Sequence, residues 1–460
     1  MNWNRPITLR RGKGRNGADA DERGDEFPQV WPFRADRAEI APPPSEEVDA
    51  EPVATGVLAR ARNVKISRGR RQSDRSRTGA GVTTALARQA RAHALTTSSV
   101  SLRRANQTVG LKVGASQIAA ARVANSAFPQ VLDAVREPLD PGVVVGGEVR
   151  DPDALGEALK SFFARHKLPA RRVRLGIANN RIGVRTVEIA GIEDPKQLAN
   201  AITFQAQEAL PIPIEEAVVD HQILERSVDA DGATTYRVLL AVAYRDLVER
   251  YVTACRLAGI RLVGIDLEAF ALIRTFLPRL EPDETDVPAA FAVVAVGHDR
   301  TTLAVANGRI CTFTRVLDWG GSALDRAIGR ALEQPVPAEQ LPEDKTLKEV
   351  LFTEEAHALG LSAQSIAAAQ DAARRELQAF GSEIVSSLHF YENQPGSLPV
   401  GEIVLSGGAG ALSGLAESVE RQTGILTRVG DPLARARPRN GLEVPHPGSL
   451  AVAIGLGIEG

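Results

Sequence analysis

Apolar positions along this chain change period several times, and each change marks an element. Thr108–Val123 and Phe291–Ala306 read as copies of one pattern: an apolar run, a glycine turn, hydroxyl residues and a second apolar run, as in a β-hairpin. After the first, Leu155, Leu159, Phe162 and Phe163 recur at helical spacing behind Asp151 and Pro152, which suit a helix start. Arg172–Ala178 and Val184–Ile189 read as strands, and Gln197–Leu210 as a helix stopped by Pro211 and Pro213. Strands around Asp220–Leu224 and Tyr236–Val242 flank a turn at Asp229–Gly232. An amphipathic helix, Arg245–Ala258, closes on Gly259 and leads to a strand, Arg261–Asp266, and a helix, Leu267–Leu277.

The acidic, proline-bearing stretch Pro278–Pro288 reads as a hinge. Beyond the second hairpin, Gly320 and Gly321 lead a helix, Ser322–Leu332, and residues 333–345 form a proline-rich loop. A long helix over Ala369–Tyr391 carries Ala373, Leu377, Ile384, Leu388 and Tyr391 on one face. Ile403–Gly410 reads as a strand entering a glycine turn, with a helix starting near Leu412. Gly448–Gly457 reads as a small-residue helix suited to tight packing.

Residues 1–105 lack this periodicity and are expected to be a disordered tail. Its charge is blocky: acids from Asp19 to Glu51, then arginines and one lysine from Arg60 to Arg104 with only Asp74 opposed. Such a block reads as a solvated linker or as a contact with anionic lipid or nucleic acid. Few aromatics interleave the arginines, and the whole chain has a net charge of −2, so nucleic acid is not the expected partner. The 460 residues allow two or three domains, and a hydrophobic content of 43% is ordinary for a globular protein. Two cysteines, Cys255 and Cys311, fit a reducing compartment. The start has no apolar signal core, and no uncharged run reaches the roughly 20 residues of a membrane helix.

The order hairpin, βαβ, inserted module, helix, hinge, second hairpin, helices and Ser406-Gly-Gly-Ala-Gly410 resembles the actin-like ATPase superfamily. Ile202–Glu216, Val263–Leu272 and Ser387–Tyr391 sharpen the resemblance to the PilM family of type IV pilus assembly proteins, relatives of the cell-division protein FtsA, over roughly residues 110–460. The resemblance implies an α/β, two-lobed actin-like (duplicated ribonuclease-H-like) fold. The first lobe would span 106–280 with a small α+β subdomain inserted at about 184–243. The second would span 281–445, and residues 446–460 would return as a helix to the first lobe. It also implies a cytoplasmic location at the inner membrane, where the family binds the short cytoplasmic N-terminal peptide of a PilN-like protein. An apolar groove on the inserted module, lined by Ile189, Phe204, Leu210 and Ile214, is the expected docking place for that peptide. Self-association is a further expectation.

Glycines let backbone N–H groups approach phosphate oxygens, and hydroxyls add hydrogen bonds. Gly110, Gly114, Ser116, Gly297, Thr301 and Thr302 are therefore the candidate phosphate contacts, and Gly407, Gly408 and Gly410 would lie beneath an adenosine, with Glu383 retained from the family pattern. The bland alternative is that the glycines only form tight turns. Where the family carries Asp, this chain has Lys112 and Ala295, and a family arginine is replaced by Ser386. Those two acids organise Mg²⁺, which needs oxygen ligands, so ATP is the candidate cofactor and Mg²⁺ is not expected. Lys112 would either neutralise phosphate directly, leaving a metal-free nucleotide, or form a salt bridge inside an empty cleft. Asp299 is near Ala295 in sequence, but a shift across the turn would point it elsewhere. Histidines show no metal spacing, and Ser406 lacks the Gly-x-Ser-x-Gly elbow. The leading expectation is a non-enzymatic adaptor with a degenerate nucleotide cleft. The rival is an active ATP-hydrolysing relative, either a filament former or a sugar kinase, the latter needing a carboxylate base not found at the first hairpin.

Overall fold

The computed structural model describes residues 106–459 except 127, 193, 210–212, 229–233, 277–288, 333–335, 337–340 and 342–345. The expectations for the tail, the Asp229–Gly232 turn, the hinge, Leu210 and most of the 333–345 loop lie outside these residues. Two sheets of one topology dominate. In the first, β1 (Gln107–Val113), β2 (Gln117–Ala124) and β3 (Gln130–Pro138) form an antiparallel meander. A two-stranded ribbon follows, β4 (Val144–Val145) and β5 (Glu148–Val149). Helix α1 (Pro152–Arg165) leads to β6 (Arg171–Ile177), which lies parallel to β1. Asp151 caps α1, its carboxylate accepting from the Asp153 and Ala154 amides.

The inserted module comprises β7 (Ile182–Ala190), α2 (Pro195–Ala209), β8 (Ala217–Val228) and β9 (Thr234–Tyr244), with strand order β7-β9-β8. The chain then returns through α3 (Arg245–Leu257), β10 (Arg261–Leu267) and α4 (Glu268–Phe276). In the second sheet β11 (Ala290–Val296), β12 (Thr301–Asn307) and β13 (Ile310–Leu317) repeat the meander. Helices α5 (Gly321–Ala331), α6 (Leu347–Val350) and α7 (Ala363–Glu392) precede β14 (Val400–Ser406), α8 (Leu415–Thr423) and β15 (Leu426–Val429). A short strand, β16 (Arg437–Pro438), rejoins the first sheet, and α9 (Ala451–Gly457) closes the chain. The sheet orders β10-β6-β1-β2-β3-β16 and β13-β12-β11-β14-β15 place two parallel strands beside each meander.

Burial explains the layering. On the outer face of the first sheet, Val109, Leu111 and Val113 pack with Leu155, Phe162, Leu247 and Tyr251 of α1 and α3. On the outer face of the second, Val294, Val296, Leu303 and Val305 pack with Leu324, Ile384 and Val419 of α5, α7 and α8. Between the sheets lie α4 and α9. Leu272 and Ile273 meet Val293, Ala304 and Val404, and Ala453 and Ile454 meet Ala119, Ala121 and Val123. Glycine makes that close approach feasible: a Cβ on Gly455 would stand 2.0 Å from the Ala271 carbonyl oxygen.

Three expectations need adjusting. The long helix begins six residues earlier than its apolar stripe suggested, at Ala363, because Ser362 caps it by accepting from the Ser365 amide. The helix after the glycine turn starts at Leu415 rather than near Leu412. The hairpins are meanders whose third strands, β3 and β13, carry polar residues at several half-buried positions and so lack clean alternation.

Candidate functional site

The sequence-marked residues converge on the region between the two sheets. Lys112 stands near the end of β1 and aligns with Gly176 on β6, while Asp266 of β10 aligns with the same glycine from the other side. Because Gly176 has no side chain, Lys112 reaches across β6 to Glu268 at the start of α4. Its Nζ lies 3.3 Å from Glu268 Oε2, with side chains only 17% and 8% exposed. A carboxylate in the first helical turn also sits favourably against the helix dipole. The sequence allowed Lys112 a salt bridge within the cleft but did not name Glu268 as its partner. Glu268 was visible only as part of the Val263–Leu272 motif, and its partner is far away in sequence.

At the matching place in the second sheet, Ala295 is 6% exposed, opposite Thr302 on β12 and Ser406 on β14. It belongs to the apolar cluster with Ala269, Ala271 and Leu272. Hard divalent cations need oxygen ligands. A lysine ammonium bound to the local carboxylate at one position and a buried methyl at the other do not fit Mg²⁺.

The candidate phosphate contacts divide on inspection. Gly114 and Ser116 do lie at the first hairpin turn, where the Gly114 amide donates to the Gln117 carbonyl (2.8 Å) and the Ser116 carbonyl accepts from the Leu139 amide (2.9 Å). Gly110 does not: it is mid-strand against α9, where a Cβ would stand 2.0 Å from the Ala453 carbonyl oxygen, so close packing requires the glycine. Gly297 is at the second turn, its amide donating to the Arg300 carbonyl at 2.8 Å. Thr301 is fully buried and its hydroxyl donates to the Trp319 carbonyl at 2.8 Å, which commits its proton inside the second lobe. Thr302 is 5% exposed beside Ala295. Gly407, at φ 88°, and Gly410 are tight-turn glycines: added Cβ atoms would lie 2.2 Å from the Val296 oxygen and 2.1 Å from the Ser406 oxygen. Gly408 is the one of the three with room for a neighbour, its nearest atom being Ser449 Cβ at 3.9 Å. Glu383 is an exposed residue of α7.

Of the partner-groove residues, Ile189 and Phe204 do not share a surface. Ile189 is 6% exposed and sits in the module core with Leu198, Ile202, Ala206, Tyr236 and Val238, so it is not a groove residue. Those helix residues repeat every four positions. Phe204, two positions from Ile202, therefore turns outward, and it is 58% exposed. Ile214 opens a short 3-10 turn, Ile214–Glu216.

Asp299, in the turn after β11, has a partner in the first lobe. Its Oδ2 accepts from the Gly146 amide at 3.1 Å, tying the second hairpin tip to the β4–β5 turn of the first lobe. Asn179 Nδ2 donates to the Gly146 carbonyl (2.8 Å) and the Tyr251 hydroxyl to the Gly147 carbonyl (3.1 Å), fixing that turn from its own side. Burial pushes the Tyr251 hydroxyl far above its usual range, so it remains a donor. Arg300 bridges to Asp318 at 3.2 Å beside the same turn. At the base, Arg174 donates to the Leu456 and Ile458 carbonyls (both 3.1 Å) and Arg274 to the Gly455 carbonyl (3.0 Å), clamping the end of α9. Arg274 also pairs with Asp266.

A family model described as type IV pilus assembly protein PilM matches residues 110–349, just over half of the chain. Among solved structures, the PilM–PilN type IV pilus biogenesis complex aligns at 22% identity and a TM-score of 0.61, covering 76% of this chain and 97% of that one. The ethanolamine utilization protein EutJ from Carboxydothermus hydrogenoformans aligns at 16% identity with a TM-score of 0.41, over 77% and 90% of the two chains. MreB 5 of Spiroplasma citri bound to AMPPNP aligns at 13% identity with a TM-score of 0.41, over 76% and 94%. With its repeated sheets, inserted module and interlobe helices, the chain has the actin-like ATPase fold and belongs to the PilM family of type IV pilus assembly proteins.

Proposed function

We propose that this chain is a pilus-assembly adaptor whose interlobe cleft is neutralised by its own side chains and hydrolyses no ATP. The observation that carries the reading is the pairing of half-buried Lys112 with buried Glu268, at the position where the family pattern places a metal-organising acid. A cation and an anion already satisfy one another there, and Ala295 offers no replacement carboxylate. Metal-assisted attack on a γ-phosphate then has no ligand set. The Asp299–Gly146 contact further supports lobes held together by protein groups. An active ATPase would need carboxylates where this chain has Lys112 and Ala295, and the one acid of the second hairpin turn, Asp299, accepts from the Gly146 amide.

In this reading the chain works at the cytoplasmic face of the inner membrane. Its partner is the short N-terminal peptide of a PilN-like membrane protein, taken by the inserted module. Among the described residues no helix is long and apolar enough to cross a membrane, so recruitment by such a partner supplies the location. Phe204, exposed on the outer face of α2, is the anchor. Exposed aromatics of this kind account for a large share of binding energy when a partner covers them. The experiment is capture of a synthetic PilN-type N-terminal peptide by the full chain. Phe204→Asp is expected to abolish capture while leaving the melting temperature unchanged, since the ring lies outside the module core. Equal capture by the variant and the parent would reject Phe204 as the anchor.

A further inference from the structure

We propose that the end of the first sheet where β6 and β10 begin is a docking surface for anionic lipid bilayers. Two connections arrive side by side there. Residues 166–170 lead from α1 into β6, and residues 258–260 lead from α3 into β10. The Arg261 amide donates to the Ala170 carbonyl at 2.7 Å, and Arg171 and Arg261 face one another in register. Like charges placed opposite on neighbouring strands are unfavourable. Both are exposed, as are Lys167 four residues before and Arg256 in the last turn of α3. Among the described residues no carboxylate pairs with any of these four, whereas the neighbouring Arg172 is taken by Glu459 at 3.1 Å. Helix dipoles account for Arg256 at a helix end, but not for two arginines opening strands.

Lys167 adds an independent sign that charge is retained here. Both connections leave their helix through the same left-handed residue. After α3 it is Gly259 at φ 72°, the residue this conformation favours. After α1 it is Lys167 at φ 53°, where a side chain is strained. Exposed apolar side chains lie among the cations: Leu257 is 50% exposed and Val263, on the edge strand β10, 37%. Aliphatic groups interspersed with arginine, without an aromatic for base stacking, fit the headgroup–acyl boundary better than nucleic acid.

The test is co-sedimentation of the full chain with vesicles of phosphatidylglycerol and phosphatidylcholine, and of phosphatidylcholine alone, at low and high salt. Each cation near an anionic surface contributes about 1 kcal/mol, or about fivefold in partitioning. The K167G/R171Q/R256Q/R261Q variant keeps every tail charge and is expected to partition several-hundredfold more weakly on anionic vesicles. The parent's binding should also fade as salt screens it. Lys167→Gly alone should lower binding about fivefold without lowering the melting temperature, because glycine relieves the left-handed backbone. PilN-type peptide capture through Phe204 should be untouched in all variants, which separates this surface from the adaptor reading. Equal sedimentation of parent and quadruple variant would overturn the proposal. So would equal binding to neutral vesicles, or, in a parallel titration with duplex DNA, loss of DNA binding by the quadruple variant with lipid binding unchanged.

Discussion

The two halves of this molecule carry the same meander and fill corresponding positions in it in different ways. In the first half the position carries a charge: Lys112 is half-buried, and a glycine on the intervening strand lets Glu268 neutralise it. In the second half the charge is gone, and Ala295 is absorbed into the apolar layer beneath α4. The difference shows that a position without a carboxylate can be filled by compensation, a charge met by its partner, or by deletion, with no charge at all. The two routes leave different signatures: compensation creates a dependence between two residues, whereas deletion leaves a wall that tolerates no charge.

The largest expected effect comes from breaking that dependence. Glu268→Ala leaves a half-buried, unpaired ammonium and should destabilise the protein by about 2 kcal/mol, read from urea unfolding. Replacing both members with apolar residues, as in Lys112→Met with Glu268→Leu, should recover most of the loss, since buried ion pairs are often exchanged for hydrophobic ones at little cost. Additive losses in the two single variants and the double would show that the residues do not depend on one another. A smaller effect is expected where the halves meet. Asp299→Ala removes one hydrogen bond to the Gly146 amide, worth about 1 kcal/mol, and should speed hydrogen exchange at Gly146 ahead of the sheet amides. Unchanged exchange at Gly146 would mean that the hairpin tip does not hold the lobes together.

Much of this architecture is legible in the chain itself. The helical stripes of α1, α3 and α7, the glycine turns of both hairpins and the small residues of α9 announce themselves, because a single periodicity or a single conformational demand determines each. The third strands β3 and β13 are obscure because polar and half-buried residues blur their alternation. At the site, sequence alone leaves Lys112 with two readings, one toward phosphate and one toward an internal partner. Only the fold brings Glu268 within 3.3 Å, across a third strand. Glycines are similarly ambiguous: Gly114 marks a turn and Gly110 a close approach of α9, and nothing local distinguishes them. Ile189 and Phe204 are both apolar, yet one faces the module core and the other solvent, because strand and helix periods assign their faces separately.

The central claim is that a Lys112 compensated by Glu268 and a buried Ala295 stand where the family pattern has metal-organising acids, so that the cleft supports no Mg²⁺-dependent hydrolysis. It is tested most directly by measuring phosphate release from ATP by the full chain, with Mg²⁺ and with EDTA, alongside calorimetric titration of Mg²⁺-ATP. The account predicts release at the background rate under both conditions and no heat that depends on Mg²⁺. Turnover well above background that EDTA abolishes would contradict it.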